Sequence, residues 1–185
     1  MTKLSKRHAL RRWDVVINLI PKNRTIVFVE VGVYLGQMAR NLLSRVPNLI
    51  WIGVDSWMIP NQNSEYVKSG AMIAKLSQKE FDSAYDCVVK MASEYKGRSS
   101  VVRCDSAVGA SFYKDRSIDF VFIDADHSYE GCSRDIKAWL PKIKAGGMIS
   151  GHDYGTNQGN VKKAVDELCS GCKTGDDNTW WKVIK

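Results

Sequence analysis

No stretch of this 185-residue sequence is apolar for long enough to cross a membrane, because its longest apolar runs have only the length of a strand. The apolar run after the basic N-terminus, residues 15–20, is interrupted by Asn18 and is too short for a secretory signal peptide. Internal repeats, low-complexity tracts and interdomain linkers are also lacking. We therefore expect one cytoplasmic domain over residues 1–185, which begins with a basic amphipathic helix over residues 1–21.

A disulfide framework is not expected either. The five cysteines are an odd number and are scattered over predicted helices and strands, which favours reduced thiols. Cys169 and Cys172 have the Cys-x-x-Cys spacing, but the sequence has no second pair of ligands at the spacing of a zinc site. Two incidental thiols near a helix end are the preferred interpretation, and a metal or redox role is the alternative.

Positive charge is in excess, with a formal net charge of +7, but it is not concentrated enough to identify a partner. The charge permits nucleic acid as a partner, yet lysine and arginine are spread along the chain and no aromatic-rich RNA-binding motif is present. The one basic cluster lies in the N-terminal helix, where Leu10, Trp13, Ile17 and Ile20 form a helical apolar stripe. We expect a solvated basic face that includes His8, and contact with nucleic acid or a membrane is the alternative.

Strands and helices alternate along the sequence. Apolar runs rich in β-branched residues predict strands over residues 25–31, 49–54, 100–104, 118–124, 147–151 and 179–184. Helical patterns reach to Arg45 after the first strand, run from 65 to 95 with a break near Ser77, and cover 129–140 and 161–168. The alternation predicts an α/β fold, with a doubly wound, mostly parallel sheet and helices on both faces.

Two of the predicted strands end in an acid and a histidine. Asp124, Asp126 and His127 follow one strand, and His152 with Asp153 follows the next. Parallel neighbouring strands bring their carboxyl ends to one edge of the sheet, where open α/β sheets bind ligands. This edge is a candidate active site, and its carboxylates and imidazoles are ligands that a divalent metal uses.

The turn after the first strand reads Glu-Val-Gly-Val-Tyr-Leu-Gly over residues 30–36. Tyr34 stands where a dinucleotide fingerprint has its second glycine, which argues against a pyrophosphate, and no Gly-Lys-Ser/Thr follows. Asp55 ends the second strand, where a carboxylate commonly binds both ribose hydroxyls. A nucleoside without pyrophosphate is the simplest ligand, and the alternative is that Asp55 only caps the next segment.

These motifs, in this order and spacing, resemble a class I S-adenosylmethionine-dependent methyltransferase. The resemblance rests on Glu30-x-Gly32-x-x-x-Gly36, Asp55, Cys104-Asp105-Ser106 and the strand 118–124. The segments 122–130 and 146–154 are similar to macrocin-type sugar O-methyltransferases and cephalosporin hydroxylase-like proteins. The resemblance covers about residues 25–154 and implies a Rossmann-like methyltransferase sheet with an antiparallel C-terminal strand. The chain is short and has no obvious substrate-covering insertion except residues 56–77, which puts a macrolide-type substrate in doubt.

The resemblance implies S-adenosylmethionine as the cofactor. Glu30, Gly32, Tyr34 and Gly36 would line its methionine end, and Asp55 would hold the ribose. The full set of implied cofactor-binding residues is Glu30, Gly32, Tyr34, Gly36, Asp55, Ser56, Trp57, Asp105, Ser106 and Asp124. Asp105 and Ser106 would border the adenine. Trp57 would stack on the adenine, or it would be an ordinary core or rim tryptophan.

Relatives that use a metal have acids at the positions of Asp124 and Asp153, and a catalytic histidine at the position of His127. We therefore expect Mg²⁺ or another divalent ion at Asp124, His152 and Asp153, with Asp126 as an alternative further ligand, and His127 as the general base beside Asp124. Two alternatives stay open. Asp126 and His127 would cap the helix near residue 129, or the acids would orient substrate without a metal.

The sequence thus predicts an O-methyltransferase that acts on a hydroxyl of a small, sugar-like or natural-product molecule. Convergence of acids and a base on one edge favours an enzyme over a binding module. The alternatives are a nucleic-acid methyltransferase, although the usual base-methylating Asn/Asp-Pro-Pro-Tyr motif is absent, and a non-catalytic cofactor-binding module that contacts nucleic acid or protein. The sequence gives no information on oligomeric state.

Overall fold

A seven-stranded sheet forms the centre of the protein. The structure is a computed structural model that describes residues 10–68, 70, 72–156 and 160–185. The strands are β1 (Ile26–Val31), β2 (Leu49–Asp55), β3 (Ser99–Arg103), β4 (Ile118–Ile123), β5 (Ile143–Gly151), β6 (Lys173–Thr174) and β7 (Trp180–Val183). None of the helices in the described part of the chain has the length and apolarity needed to span a bilayer.

The strand order is β3-β2-β1-β4-β5-β7-β6. The first five strands pair in parallel, whereas β7 pairs antiparallel with β5 and with β6. This confirms the predicted doubly wound, mostly parallel sheet with an antiparallel C-terminal strand. In the register, Val31 lies beside Val54 and Ile123, and Ile123 lies beside Gly151. Because these positions are the last or nearly the last of four strands, the residues that follow them meet at one edge.

Helices cover both faces of the sheet. They are α1 (Arg12–Leu19), α2 (Gln37–Arg45), α3 (Glu65–Lys68), α4 (Gln78–Ser93), α5 (Ser106–Ser111), α6 (Tyr129–Trp139) and α7 (Val161–Leu168), with 3₁₀ helices at Met72–Lys75 and Leu140–Lys142. Residues of α1, α2 and α4 share one buried apolar cluster with Phe28, Trp51 and Phe120. Residues of α6 and α7 share the other with Val29 and Val121. Alternate residues of each strand therefore face opposite cores.

The first helix packs with part of the predicted stripe, of which Ile20 is buried in the core, and with other residues beside it. Val15 and Val16 are its buried residues, Trp13 and Ile17 are only partly buried, and Leu10 precedes the helix and is exposed. The expected solvated basic face is also wrong for Arg12, whose guanidinium lies against Asp124. Arg11 precedes the helix and is exposed, whereas Lys3, Lys6, Arg7 and His8 lie outside the described residues.

Several element bounds differ from the sequence-based expectation. The third strand begins and ends one residue earlier than predicted, and β5 begins at Ile143 because a bulge before Met148 lets the strand continue across Gly146 and Gly147. Neither α5 nor β6 was predicted, since each is too short to show a period. Ser77 caps α4 with its side chain and so explains the predicted break.

Candidate active site

The ends of β1, β2, β4 and β5 bring Gly32, Asp55, Asp124 and His152 together. Backbone hydrogen bonds continue the sheet by one residue there: Gly32 N–H donates to Val54, Asp124 N–H to Val31 and His152 N–H to Ile123. The prediction that adjacent strand ends gather acids and histidines at one edge is therefore confirmed. The sheet itself, and not a mobile loop, fixes the positions of these residues.

Close packing of β1 against β4 explains the first glycine of the turn. Gly32 has a φ of 83°, and a Cβ there would collide with the backbone of Asp124 and Ala125. Tyr34 also has a positive φ, of 47°. Gly36, which we expected beside the ligand, instead starts α2 at a φ of 71° and faces Val88 beneath the turn. Its conformation, and not a ligand, requires the glycine there.

Asp55 holds the turn through its carboxylate. Its Oδ2 accepts hydrogen bonds from the N–H groups of Val33 at 2.8 Å and Tyr34 at 2.9 Å, while Oδ1 accepts one from Trp57 at 2.8 Å. The alternative that Asp55 braces its neighbouring segment is therefore observed, and Asp55 also faces a cavity. Each carboxylate oxygen can accept more than one hydrogen bond, so the brace leaves room for a ligand hydroxyl.

The first cavity lies beside Asp55 and measures about 390 Å³. This volume is in the range of about 300–1,000 Å³ that is usual for small-molecule sites. The expected residues Gly32, Tyr34, Asp55, Ser56, Asp105, Ser106 and Asp124 all line it. The segment after β2 covers one side of it through Met58, Ile59 and Pro60, of which Met58 is largely exposed.

Hydrogen bonds order the far end of the first cavity. Asp105 caps α5 by accepting from Ala107 N–H at 2.9 Å, and it forms an ion pair with Arg134 at 3.1 Å. The Ser106 hydroxyl accepts from the indole N–H of Trp139 at 3.0 Å. Asp135 is buried next to these residues, and burial raises its pKa to about 6, against the opposing effects of Ser106 and Arg134.

Trp57 is a correction to the expected cofactor residues. Its side chain is fully buried in the core cluster of α2 and α4, its ring meets Tyr85 edge to face, and its indole N–H donates to the carbonyl of Tyr34. No face of the ring is open for stacking on an adenine. Trp57 therefore supports the turn from below and belongs to the core.

A group of four side chains, here called the Asp–His cluster, is formed by Asp124, His127, His152 and Asp153. His127 Nε2 lies 3.3 Å from Asp124 Oδ1 and 3.2 Å from Asp153 Oδ2. His152 Nδ1 lies 3.2 Å from Asp153 Oδ2 and 3.8 Å from Asp124 Oδ1. Two imidazoles therefore share two carboxylates, and all four side chains are largely buried.

The cluster favours its charged forms. Burial alone would lower the pKa of His127, but the hydrogen bond and charge of Asp124, with the charge of Asp153, outweigh burial and raise it. The pKa of His152 is raised in the same way, against burial, by Asp153 and Asp124. Burial would raise the pKa of Asp153, but both histidines and Arg12 lower it. The cluster therefore behaves as a coupled set of ion pairs.

The capping alternative applies to other residues than expected. Ser128 is the N-cap of α6, and its hydroxyl accepts from Gly131 N–H at 3.0 Å. Asp126 Oδ1 accepts from Ser128 N–H at 2.8 Å, and Asp126 lines the first cavity. Asp126 therefore stabilises the turn and lies outside the group of candidate ligands Asp124, His152 and Asp153, and His127 is not the cap.

A second cavity of about 500 Å³ lies on the other side of Asp124. It is lined by Glu30, His127, His152 and Asp153, and the two cavities share Gly32, Tyr34, Ile73, Asp124 and Ala125. Glu30 is buried, accepts from the indole N–H of Trp51 at 2.7 Å, and has a pKa raised to about 8 by burial. Glu30 is therefore mostly protonated at neutral pH.

The donor set of the cluster suits a divalent ion. Ligand atoms of Asp124, His152 and Asp153 all lie within 4.8 Å of one another. The buried Nε2 of His152 has no hydrogen-bond partner among the described residues, and Asp177 Oδ2 lies 3.8 Å from it. Carboxylates commonly orient metal-binding histidines in this way. One imidazole and two carboxylates are a donor set that magnesium or a transition metal accepts.

Sequence reasoning missed Arg12, Asp135 and Asp177. Arg12 reaches the cluster from α1, and Asp177 approaches it from the turn before β7, so neither is near the motifs in sequence. Asp135 gave one usable signal, since it falls on the helix face that carries Ile136 and Trp139, where a charged residue is unusual.

Residues 29–154 match the sequence model of a family of methyltransferase domains. The chain belongs to this family. No curated protein sequence matches it. In three-dimensional structure it is similar to the O-methyltransferase NovP, with a TM-score of 0.61 and 17% identity over 93% of this chain and 76% of that one.

Two further methyltransferase structures show the same fold. CalS11, a TDP-rhamnose 3'-O-methyltransferase of calicheamicin biosynthesis, has a TM-score of 0.56 at 14% identity, over 91% of this chain and 75% of that chain. A candidate caffeoyl-CoA O-methyltransferase from Staphylococcus aureus has a TM-score of 0.61 at 14% identity, over 94% and 82%. The expected family is therefore confirmed: this protein is a class I S-adenosylmethionine-dependent methyltransferase.

Proposed function

We propose that this methyltransferase transfers a methyl group to a hydroxyl oxygen of a small, sugar-like or natural-product molecule, with a divalent ion at Asp124, His152 and Asp153. The observation that carries the proposal is the shared wall of the two cavities. Asp124 borders both of them, and His127 faces the second. A cofactor in the first cavity and an acceptor in the second would meet beside Asp124.

We assign the cofactor to the first cavity with its adenine near Asp105 and Ser106. Its ribose then lies at Asp55, next to Ser56, and its methionine end extends past Gly32 toward Glu30. Support comes from the volume of this cavity and from Asp55, Ser56, Asp105 and Ser106, which all line it. Glu30 lines the second cavity beside Gly32, and although burial keeps it mostly protonated at neutral pH, the ammonium group of the methionine end would favour its charged form.

Methyl transfer to oxygen is an in-line displacement. The bond between carbon and sulfur breaks as the bond between carbon and oxygen forms, and the hydroxyl proton must leave. We assign the proton to His127, whose raised pKa makes it a stronger base once its imidazole is neutral. A divalent ion, when bound, supplies positive charge that lowers the pKa of a nearby hydroxyl.

The acceptor class follows from the second cavity. A space of about 500 Å³ that brings the carboxylates and imidazoles of the cluster together with apolar side chains such as Leu35 and Met38 suits a small molecule with a hydroxyl group and some apolar surface. Two of the similar structures are those of a TDP-rhamnose 3'-O-methyltransferase and a candidate caffeoyl-CoA O-methyltransferase. Both names give acceptors with hydroxyl groups, which supports the same chemistry here.

The test is binding followed by transfer. Calorimetry with S-adenosylhomocysteine should show one site per chain, and transfer of a labelled methyl group should be measured with TDP-rhamnose, a catechol and a single-stranded RNA as acceptors. Label on the sugar or the catechol supports the proposal. Label on RNA alone, or no binding of S-adenosylhomocysteine at millimolar concentration, contradicts it.

A separate experiment tests whether a divalent ion binds at the proposed site. Mg²⁺ should raise the melting temperature of the wild type, because a ligand that binds only the folded state stabilises it. The rise should be lost when Asp124→Asn and Asp153→Asn are combined, and should remain in Asp126→Asn, which alters an acid outside the cluster. An equal rise of the melting temperature in the double variant would mean that the metal does not bind at this site.

A further inference from the structure

Arg12 brings a positive charge to the Asp–His cluster. Its Nε lies 3.5 Å from Asp124 Oδ2, is buried, and makes no hydrogen bond to any described residue. The side chain is only 27% exposed and lines the second cavity. Arg12 therefore forms an ion pair with Asp124 in which Nε makes no hydrogen bond. The position of its helix, and not a hydrogen bond of Nε, places the guanidinium there.

Backbone contacts hold the start of α1 in this position. The Arg12 N–H donates to Asp177 Oδ2 at 2.9 Å, and the Leu10 N–H donates to Asp176 Oδ2 at 3.2 Å. Further along the helix, Asp14 is paired with Arg45 of α2 at 2.7 Å. Contacts to two separate parts of the chain thus fix the helix, and they bring the guanidinium to the edge of the sheet.

The Arg12 guanidinium lies beside a carboxylate that the candidate metal site uses as a ligand. It is one of the causes that lower the pKa of Asp153, and Asp124 is also a ligand of the candidate metal site. An arginine keeps its charge at every pH that the protein tolerates. A guanidinium and a divalent ion on the same carboxylate repel each other, and the repulsion is strong because the site is largely buried.

We propose that Arg12 is the built-in counter-ion of the Asp–His cluster and that it competes with the divalent ion for Asp124. Metal binding then requires the Arg12 side chain to leave the cluster, and the N-terminal helix sets the metal affinity of the enzyme. The proposal rests on the metal site of the proposed function and adds a determinant of its occupancy.

The experiment measures Mn²⁺ binding to the full chain, from the loss of the free-ion resonance signal, at fixed neutral pH and ionic strength. Arg12→Met should bind Mn²⁺ at least about tenfold more tightly than the wild type, because the competing charge is gone. Arg12→Lys keeps the charge and should stay within about threefold of the wild type. Arg45→Met is the matched control: it removes a cation and one contact of α1 without touching the cluster, and it should stay within about threefold of the wild type because the bonds to Asp176 and Asp177 still hold the start of the helix.

Thermal melts supply a second readout. Without metal, Arg12→Met should melt below the wild type, because two buried carboxylates lose a counter-ion, and Mn²⁺ should raise its melting temperature more than that of the wild type. If Arg12→Met does not fold, Arg12→Gln takes its place, with a polar neutral side chain.

The outcomes separate this inference from the proposed function. Equal Mn²⁺ affinity in Arg12→Met and Arg45→Met overturns the competition, and so does a failure of every variant to bind Mn²⁺. Titration of the same samples with S-adenosylhomocysteine reports on the proposed function alone. Loss of that binding would overturn the proposed function while tighter Mn²⁺ binding in Arg12→Met still supported the counter-ion.

Discussion

The carboxylate of Asp55 holds two segments in unusual backbone conformations, the turn after β1 and the residues after β2. It accepts N–H groups from Val33, Tyr34 and Trp57, and both Tyr34 and Trp57 have positive φ values, of 47° and 43°. Residues with a Cβ adopt such angles only where the surroundings enforce them. A charged acceptor holds amide groups more firmly than a neutral one does. The same residue therefore shapes the turn and offers oxygens to the cavity.

Asp55→Ala should consequently weaken both the fold and cofactor binding. The free energy of unfolding should fall by about 2–3 kcal/mol, the range for hydrogen bonds to a charged group, and the affinity for S-adenosylhomocysteine should fall by at least about tenfold. Denaturant melts and calorimetry measure the two effects. Ser77→Ala is the control, because it removes the cap of α4 outside the cavity and should lower stability with unchanged affinity. An unchanged affinity of Asp55→Ala for S-adenosylhomocysteine would mean that Asp55 does not bind the ribose.

Variants of two neighbouring residues test the proposed chemical role of His127 against the structural role of Ser128. His127→Ala should lower single-turnover methyl transfer by about 100-fold or more, with little effect on binding of S-adenosylhomocysteine. Ser128→Ala should cost about 1 kcal/mol of stability and leave transfer nearly intact, because Ser128 only caps α6. Since Asp124 and Asp153 raise the pKa of His127 against burial, the wild-type rate should rise with pH until the imidazole is neutral. A flat pH profile together with an active His127→Ala would assign the proton to another group.

At the scale of elements, the segment between β2 and α4 is positioned to cover a ligand in the first cavity. Met58 and Ile59 line the first cavity while remaining exposed, so they can bury apolar surface when a ligand is bound. Gln78 connects this segment to α4, because its side chain donates to the carbonyl of Trp57 at 2.8 Å and accepts from Ile59 N–H at 3.2 Å.

S-adenosylhomocysteine should therefore slow amide hydrogen exchange in residues 58–65 and leave α7 unchanged. Gln78→Ala should raise the exchange rate of these residues and weaken the ligand by about fivefold to tenfold, since the segment loses its two side-chain hydrogen bonds. Lys79→Ala, a change at the next and exposed position of α4, is the control. If the ligand leaves exchange in this segment unchanged, the segment is a fixed wall and not a cover.

Elements with a clear period were predictable, and the others were not. The strands β1, β2 and β4 are buried on both faces and so give continuous apolar runs, whose ends also located Asp55 and Asp124. The short α5 gives no period, and the bulge that lengthens β5 depends on pairing with β4. The role of Trp57 could not be predicted, because its burial depends on how α2 and α4 pack over the end of β2.

At the scale of the whole molecule, the contacts that complete the site are long-range. Arg12 and Asp177 are 165 residues apart in sequence, and they meet because α1 and the turn before β7 approach the same edge of the sheet. No local pattern records such a contact. The sequence predicted which strand ends bring acids and histidines together, but tertiary packing decides which charges surround them.

Two buried carboxyls on opposite faces of the sheet link global stability to pH. Burial raises the pKa of Glu30 to about 8 and that of Asp135 to about 6, so the folded state holds protons that the unfolded chain releases. Stability is therefore highest below the ordinary carboxyl pKa of each group and is lost as pH rises through its folded-state value. The raised pKa values of His127 and His152 act in the same direction. Asp153 acts in the opposite direction: its lowered pKa contributes stability that is lost as pH falls through the folded-state value.

The free energy of unfolding should consequently fall between about pH 5 and about pH 9. Glu30 alone would contribute up to about 4 kcal/mol, at about 1.4 kcal/mol for each unit of pKa change. Glu30→Gln keeps an acceptor for the Trp51 indole and removes the ionisation, so its stability should depend less on pH and should exceed that of the wild type above about pH 8. Urea melts across this range measure the slope, with Glu94→Gln as an exposed control that should follow the wild type. A slope in Glu30→Gln as steep as that of the wild type would mean that Glu30 is already ionised in the fold, with a counter-charge of its own.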